Sequence, residues 1–206
     1  MLADRSVTDA ISSTIIEHMK EYCETPGFAL AYFYFDFNDT GKQKVSNLVS
    51  SLIAQLCNKV VDLPGQLKEL YKRCNNGQQQ AAVRELSATL SLIVRDFEDV
   101  FIVIDALDEC PKDGERGELL TLIEEIHARQ LSRIHLLVTS RPETDIKEML
   151  MSWVGSWAIP LQGFQVDSDI NLHVRSQLSA DPKLKKWPDK VKAEVEEALT
   201  AGAKGM

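Results

Sequence analysis

Val100–Cys110, VFIVIDALDEC, is the stretch around which the other residues of this 206-residue chain arrange themselves. Val100 to Ile104 are consecutive β-branched or aromatic residues, a run that fits a strand buried on both faces. The run ends abruptly in Asp105, Asp108 and Glu109. Acids at the carboxyl end of a buried strand are costly unless something positive meets them, and in open α/β sheets ligands sit in the crevice beyond those strand ends. Asp105, directly after the strand, is placed to hold Mg2+ on a nucleotide's phosphates. Asp108 and Glu109 are placed to reach the water beside that metal. The competing reading is a strand that merely runs into an acidic turn.

Downstream, Ile134–Val138, IHLLV, is a second apolar strand, and it runs straight into Thr139, Ser140, Arg141 and Pro142. Between the two strands, Leu119 to Ala128 has the apolar spacing of a helix. Strand, helix, strand with both strands apolar throughout implies a parallel sheet. Arg141 then faces the same crevice as Asp105, where a guanidinium can contact a terminal phosphate. Thr139 and Ser140 can hydrogen-bond a phosphate or the attacking water. The alternative is that Arg141 pairs with Asp105 or Asp108.

Upstream, Val7 to Tyr22 reads as a helix capped by Ser6 or Thr8, and Phe28 to Phe37 as an aromatic strand. Val45 to Leu56 is an amphipathic helix, Pro64 opens another to about Tyr71, and Asn75-Asn76-Gly77 stops it. Ala81 to Arg95 is the helix that leads into the first apolar strand. Beyond Pro142, Ile146 to Met151 reads as a short helix and Trp157 to Leu161 as a last strand. Helices alone follow, at Ile170 to Leu178 and Val191 to Leu199. The change of character near Gly163 divides the chain into an α/β domain, residues 1–163, and a helical segment, residues 164–206.

Composition sets outer limits. With 44% hydrophobic and 26% charged residues the chain is ordinary for a globular protein. Its net charge of -8 argues against a general nucleic-acid or anionic-membrane surface. No apolar run approaches the roughly 18 residues of a membrane helix, and Met1 to Glu21 lacks the pattern of a signal peptide, so a cytoplasmic location is expected. Cys23, Cys57, Cys74 and Cys110 stand far apart, which favours reduced thiols over a disulfide or metal framework.

Several stretches together resemble a known family. FIVIDALDEC (Phe101–Cys110) with IHLLVTSRPE (Ile134–Glu143) is similar to the NACHT-type (STAND) signalling ATPases, specifically the fungal branch and the related nephrocystin-3-like N-terminal module of NLR-like and ankyrin-repeat proteins. FALAYFYFDFND (Phe28–Asp39), SNLVSSLIAQL (Ser46–Leu56) and PDKVKAEVEEALTAGAKGM (Pro188–Met206) resemble the same branch. The resemblance implies an α/β fold of the P-loop NTPase (ASCE) type, with a parallel sheet flanked by helices and a small helical segment after it. It implies Mg2+ and ATP or ADP as cofactors, with Asp105 as the Walker B ligand to Mg2+. Asp108 and Glu109 become the acidic pair that polarises water, and Arg141 the sensor arginine on the γ-phosphate.

One departure decides what this chain is expected to do. Such ATPases cradle the phosphates in a GxxxxGK[ST] loop, and these 206 residues contain none. Gly41-Lys42 does not supply it, because Asp36 stands where the first glycine belongs and Gln43 where the hydroxyl residue belongs. By the resemblance the loop and its strand, the centre of the sheet, belong ahead of the Val7 helix, where Met1 to Ser6 stand. A further helix and a winged-helix segment belong after GAKGM. The chain is therefore expected to be a partial or degenerate module, not competent for catalysis, that binds ATP weakly or not at all. Its expected role is interaction or scaffolding, with protein partners or self-association. Without a central strand, the two apolar strands are expected to show unpaired edges. The alternative is a working Mg2+–ATP switch in NLR-like recognition or heterokaryon-incompatibility signalling, and a carboxylate hydrolase is disfavoured because no nucleophile and base pair is recognisable.

Overall fold

The structure is a computed structural model that describes residues 3–60, 62–112, 114–128, 133–154, 158–159, 172 and 174–203. It divides into two compact units, Thr8–Leu150 on the one hand and Met1–Val7 with Met151–Met206 on the other. Gly163 and the Trp157–Leu161 strand expected from the sequence lie outside the described residues, except for 158 and 159, which are in neither helix nor strand.

The larger unit is an α/β layer structure. Strands β1 (Phe28–Tyr34), β2 (Asp99–Asp105) and β3 (Ile134–Val138) form a parallel sheet in that order, with β2 in the middle. Helices α1 (Ala3–Tyr22), α2 (Val45–Cys57), α3 (Gly65–Arg73), α4 (Val83–Ile93), α5 (Glu115–Ala128) and α6 (Thr144–Val154) account for most of the rest, with Ala3–Val7 of α1 and Met151–Val154 of α6 belonging to the smaller unit. Because side chains alternate along a strand, β2 splits its residues between two layers. Val100, Ile102 and Ile104 are fully buried, while Phe101, Val103 and Asp105 belong to the opposite face. On that second face α1 lays down Ile16, Met19 and, just past its end, Cys23 against Leu30, Val103 and Leu137. α2 packs across β1 and against α4. Its buried stripe is Val45, Leu48, Val49, Leu52, Ile53 and Leu56, the three- and four-residue spacing expected of a helix that covers a sheet.

The register corrects one expectation. β2 and β3 are not separated edges: Val100 pairs with Ile134, Ile102 with Leu136 and Ile104 with Val138 in a direct parallel ladder, while β2's other side pairs with β1 from Phe28↔Asp99 to Tyr34↔Asp105. Two apolar strands of like direction can pair directly when no third lies between them, and leaving them open would cost a row of hydrogen bonds. The outer edge of β1 is met by a side chain. The Gln55 amide, from α2, accepts from Tyr32 N–H at 3.0 Å and donates to Tyr32 C=O at 2.8 Å.

Boundaries follow local chemistry. α1 begins at Ala3, four residues before the expected Val7, so Ser6 and Thr8 fall inside the helix and not at its start. β1 ends at Tyr34, so Phe35 to Phe37 continue outside the strand. α3 is stopped as expected by Asn75, Asn76 and Gly77, all at positive φ. α4 ends at Ile93 and hands over to a single 3-10 turn, Val94–Asp96, before β2. In the smaller unit residues 174–180 are helical, Leu184–Lys186 is a 3-10 turn, and a helix runs over Asp189–Ala203. Arg175 there pairs with Glu196. No described helix is long and apolar enough to cross a membrane.

Candidate functional site

The site forms where β2 and β3 end side by side. Asp105 is the last residue of β2, on the same sheet face as Val103, and its side chain is buried at 1% exposure. Ser12 of α1, also fully buried, donates its hydroxyl to Asp105 Oδ1. Ser12, Ile16 and Met19 share one side of α1 at helical spacing, so the packing that seats Ile16 on the sheet also delivers the Ser12 hydroxyl to the carboxylate. From the other side Thr139, the residue after β3, donates Oγ1–H to the same oxygen at 2.7 Å.

Thr139 does more than donate. Its Oγ1 accepts from Ala106 N–H at 3.0 Å, its own N–H donates to Ile104 C=O at 3.0 Å, and its C=O accepts from Leu107 N–H at 2.9 Å. Ala106 sits at φ 57°, ψ 54°, a left-handed conformation that costs a non-glycine residue about 1–2 kcal/mol. That turn takes the chain sharply out of the strand and starts the 3-10 turn Leu107–Glu109.

The other expected residues divide into two places. Asp108 accepts Arg141 N–H at 2.9 Å and lies 3.6 Å from Arg141 Nε, so the arginine is paired with the neighbouring acid. Ser140 Oγ donates to Arg141 C=O at 2.8 Å and lies 3.4 Å from Asp108 Oδ1. Glu109 accepts Phe37 N–H at 3.0 Å, in the loop after β1. The structure thus gathers Asp105, Thr139, Ser140, Asp108 and Arg141 at the two strand ends and places Glu109 beside the third.

Two residues with no sequence signal complete the arrangement. Ser12 is one. The other is Arg116, buried at 3% exposure at the start of α5. Its guanidinium donates to Cys110 C=O at 2.6 and 3.0 Å, to Asp108 C=O and to Glu143, with Asp145 3.5 Å away. It fastens the acidic turn to the segment that opens α6. Lys112 reaches Glu143 at 3.0 Å as well. Burial pushes the Glu143 carboxyl up, but the hydrogen bonds from Lys112 and Arg116 outweigh it and hold the group below its ordinary 4.5.

Whether this arrangement suits Mg2+ can be read from Asp105. One carboxylate with two hydroxyls is a hard oxygen set of the kind Mg2+ takes. Yet the carboxylate is closed off from solvent, its Oδ1 already takes both hydroxyl protons, and among the described residues no group of three or more His, Cys, Asp or Glu could hold a metal. As arranged, these residues do not fit a resident Mg2+. They tie the carboxyl ends of β2 and β3 to α1.

None of the four cysteines, all among the described residues, is in a disulfide, and burial raises the Cys23 and Cys57 thiols above their ordinary value. The sequence profile of the family described as nephrocystin 3, N-terminal, matches residues 9–141, which spans all three strands, Ser12 and Arg141. No curated protein and no solved structure matches the chain.

Proposed function

The chain belongs to the nephrocystin 3 N-terminal family, and from that premise we propose that it acts as an interaction or scaffold module of the signalling-NTPase kind, with little or no ATP binding in its present form. The observation that carries this reading is the state of Asp105. A Walker B acid must offer its carboxylate to a hydrated cation, whereas this one is 1% exposed and engaged by Ser12 and Thr139. The arginine that would sense a phosphate is paired with Asp108. No GxxxxGK[ST] loop occurs in these residues to supply amides and a lysine. At about 1.5–3 kcal/mol per hydrogen bond to a charged group, losing even two such contacts lowers affinity a hundredfold or more.

A second reading, a Mg2+–ATP switch of the fungal NACHT type, draws on one observation. Asp105, Asp108, Thr139, Ser140 and Arg141 gather at the carboxyl ends of adjacent parallel strands, where α/β folds bind ligands.

Thermal melts in millimolar Mg2+–ATP, run beside an Asp105→Asn variant, separate the two. The scaffold reading expects the same melting temperature with and without nucleotide. A ligand present at a hundred times its Kd would add about 2.7 kcal/mol, so an upward shift that the variant lacks would establish the switch.

A further inference from the structure

In the larger unit, α3, the turn after it and the approach to α4 enclose a half-open groove of about 550 Å³. Leu63, Leu67, Leu70, Tyr71 and Ala81 give it an apolar floor and walls. The turn is built against it: Asn75, Asn76 and Gly77 all take positive φ, and Gly77 lies so near Tyr71 that a Cβ there would meet the ring at 2.7 Å. Lys68 and Lys72, one helical turn apart on α3, also line the groove, and neither has an acidic partner among the described residues. Like charges at that spacing repel, and a single anion at the rim relieves both.

We propose that this groove binds a fatty-acid-like carboxylate, an apolar chain laid along Leu63, Leu67 and Tyr71 with its anionic end at Lys68 and Lys72. Size and charge choose this occupant. A volume in the range of about 300–1,000 Å³, apolar lining and a few charged groups are the marks of a small-molecule site. In a chain of net charge -8, Lys68 and Lys72 put positive charge at the rim of an apolar groove and favour an anion there. This site is independent of Asp105, and its test does not depend on nucleotide.

Cys74 lines the groove and reports on it. In a Cys57→Ser background, which removes the other partly exposed thiol, maleimide labelling of Cys74 is followed while dodecanoate is titrated below its self-association concentration. Saturable binding by calorimetry with several-fold slower labelling is expected. Dodecanol, which has the same chain without the charge, is expected to bind about tenfold more weakly. A Lys68→Gln/Lys72→Gln variant, altered only at exposed positions, is expected to lose about tenfold for dodecanoate and nothing for dodecanol. The proposal is overturned if dodecanoate fails to saturate, if it saturates without slowing the labelling of Cys74, or if the lysine variant binds it as tightly as the parent.

Discussion

Thr139 donates to the Asp105 carboxylate at 2.7 Å while accepting the Ala106 N–H at 3.0 Å, so one hydroxyl serves both the buried acid and the strained turn that follows it. Thr139→Val keeps the shape of the side chain and removes both contacts. Urea denaturation is expected to show a loss of about 1–3 kcal/mol, the cost of leaving buried polar groups unmet, and Thr139→Ser is expected to recover most of it.

The ion pairs of Arg116 make stability depend on acid. The Glu143 carboxyl titrates below 4.5 in the folded chain, so its contribution is fully present above that pH and is lost as the pH falls through the folded value. Glu143→Gln is expected to flatten the part of the stability profile below pH 4.5, measured by urea midpoints across pH. Arg116→Met, which leaves the Asp108 and Cys110 carbonyls without their donor and Glu143 with Lys112 alone, is expected to cost about 1–3 kcal/mol.

Gln55 stands in for a fourth strand at the outer edge of β1. Gln55→Leu removes the donor and the acceptor that Tyr32 uses and exposes a backbone edge. About 1–2 kcal/mol of stability is expected to be lost, and sedimentation velocity is expected to show more self-association than in the parent chain.

Gly77 combines a φ of +81° with close approach to Tyr71. Gly77→Ala is expected to lose about 1 kcal/mol in chemical denaturation, because alanine disfavours that backbone and its methyl displaces the ring. Ala106→Gly, the reverse change at a left-handed site, is expected to lose nothing.

Much of this architecture was legible in local pattern. VFIVID and IHLLV each read as a buried strand, β3 begins and ends where its residues say, and the parallel sheet follows from a helix between two apolar runs. Pairing of Arg141 with Asp105 or Asp108 was legible as one reading of the sequence, and Asp108 is the acid it meets because β3 lies directly beside β2. The start of α1 was misplaced because Ser6 and Thr8 are tolerated inside a helix as well as at its cap. Ser12 and Arg116 were invisible for another reason. A serine reaching an acid 93 residues away, and an arginine inside ERGE that reads as a surface charge, acquire their roles only through tertiary packing. The supposed open edges failed for the same cause, since strand pairing is non-local.

The ladder between β2 and β3 also gives the sheet a polarity of growth. A strand arriving from elsewhere could enter the middle only by unzipping the pairs from Val100↔Ile134 to Ile104↔Val138, and with them the Thr139 contacts at their end. At the β1 margin it would have to evict Gln55. Among the described residues the far margin of β3 pairs with no strand, so a strand added at that margin would disturb neither this ladder nor Gln55.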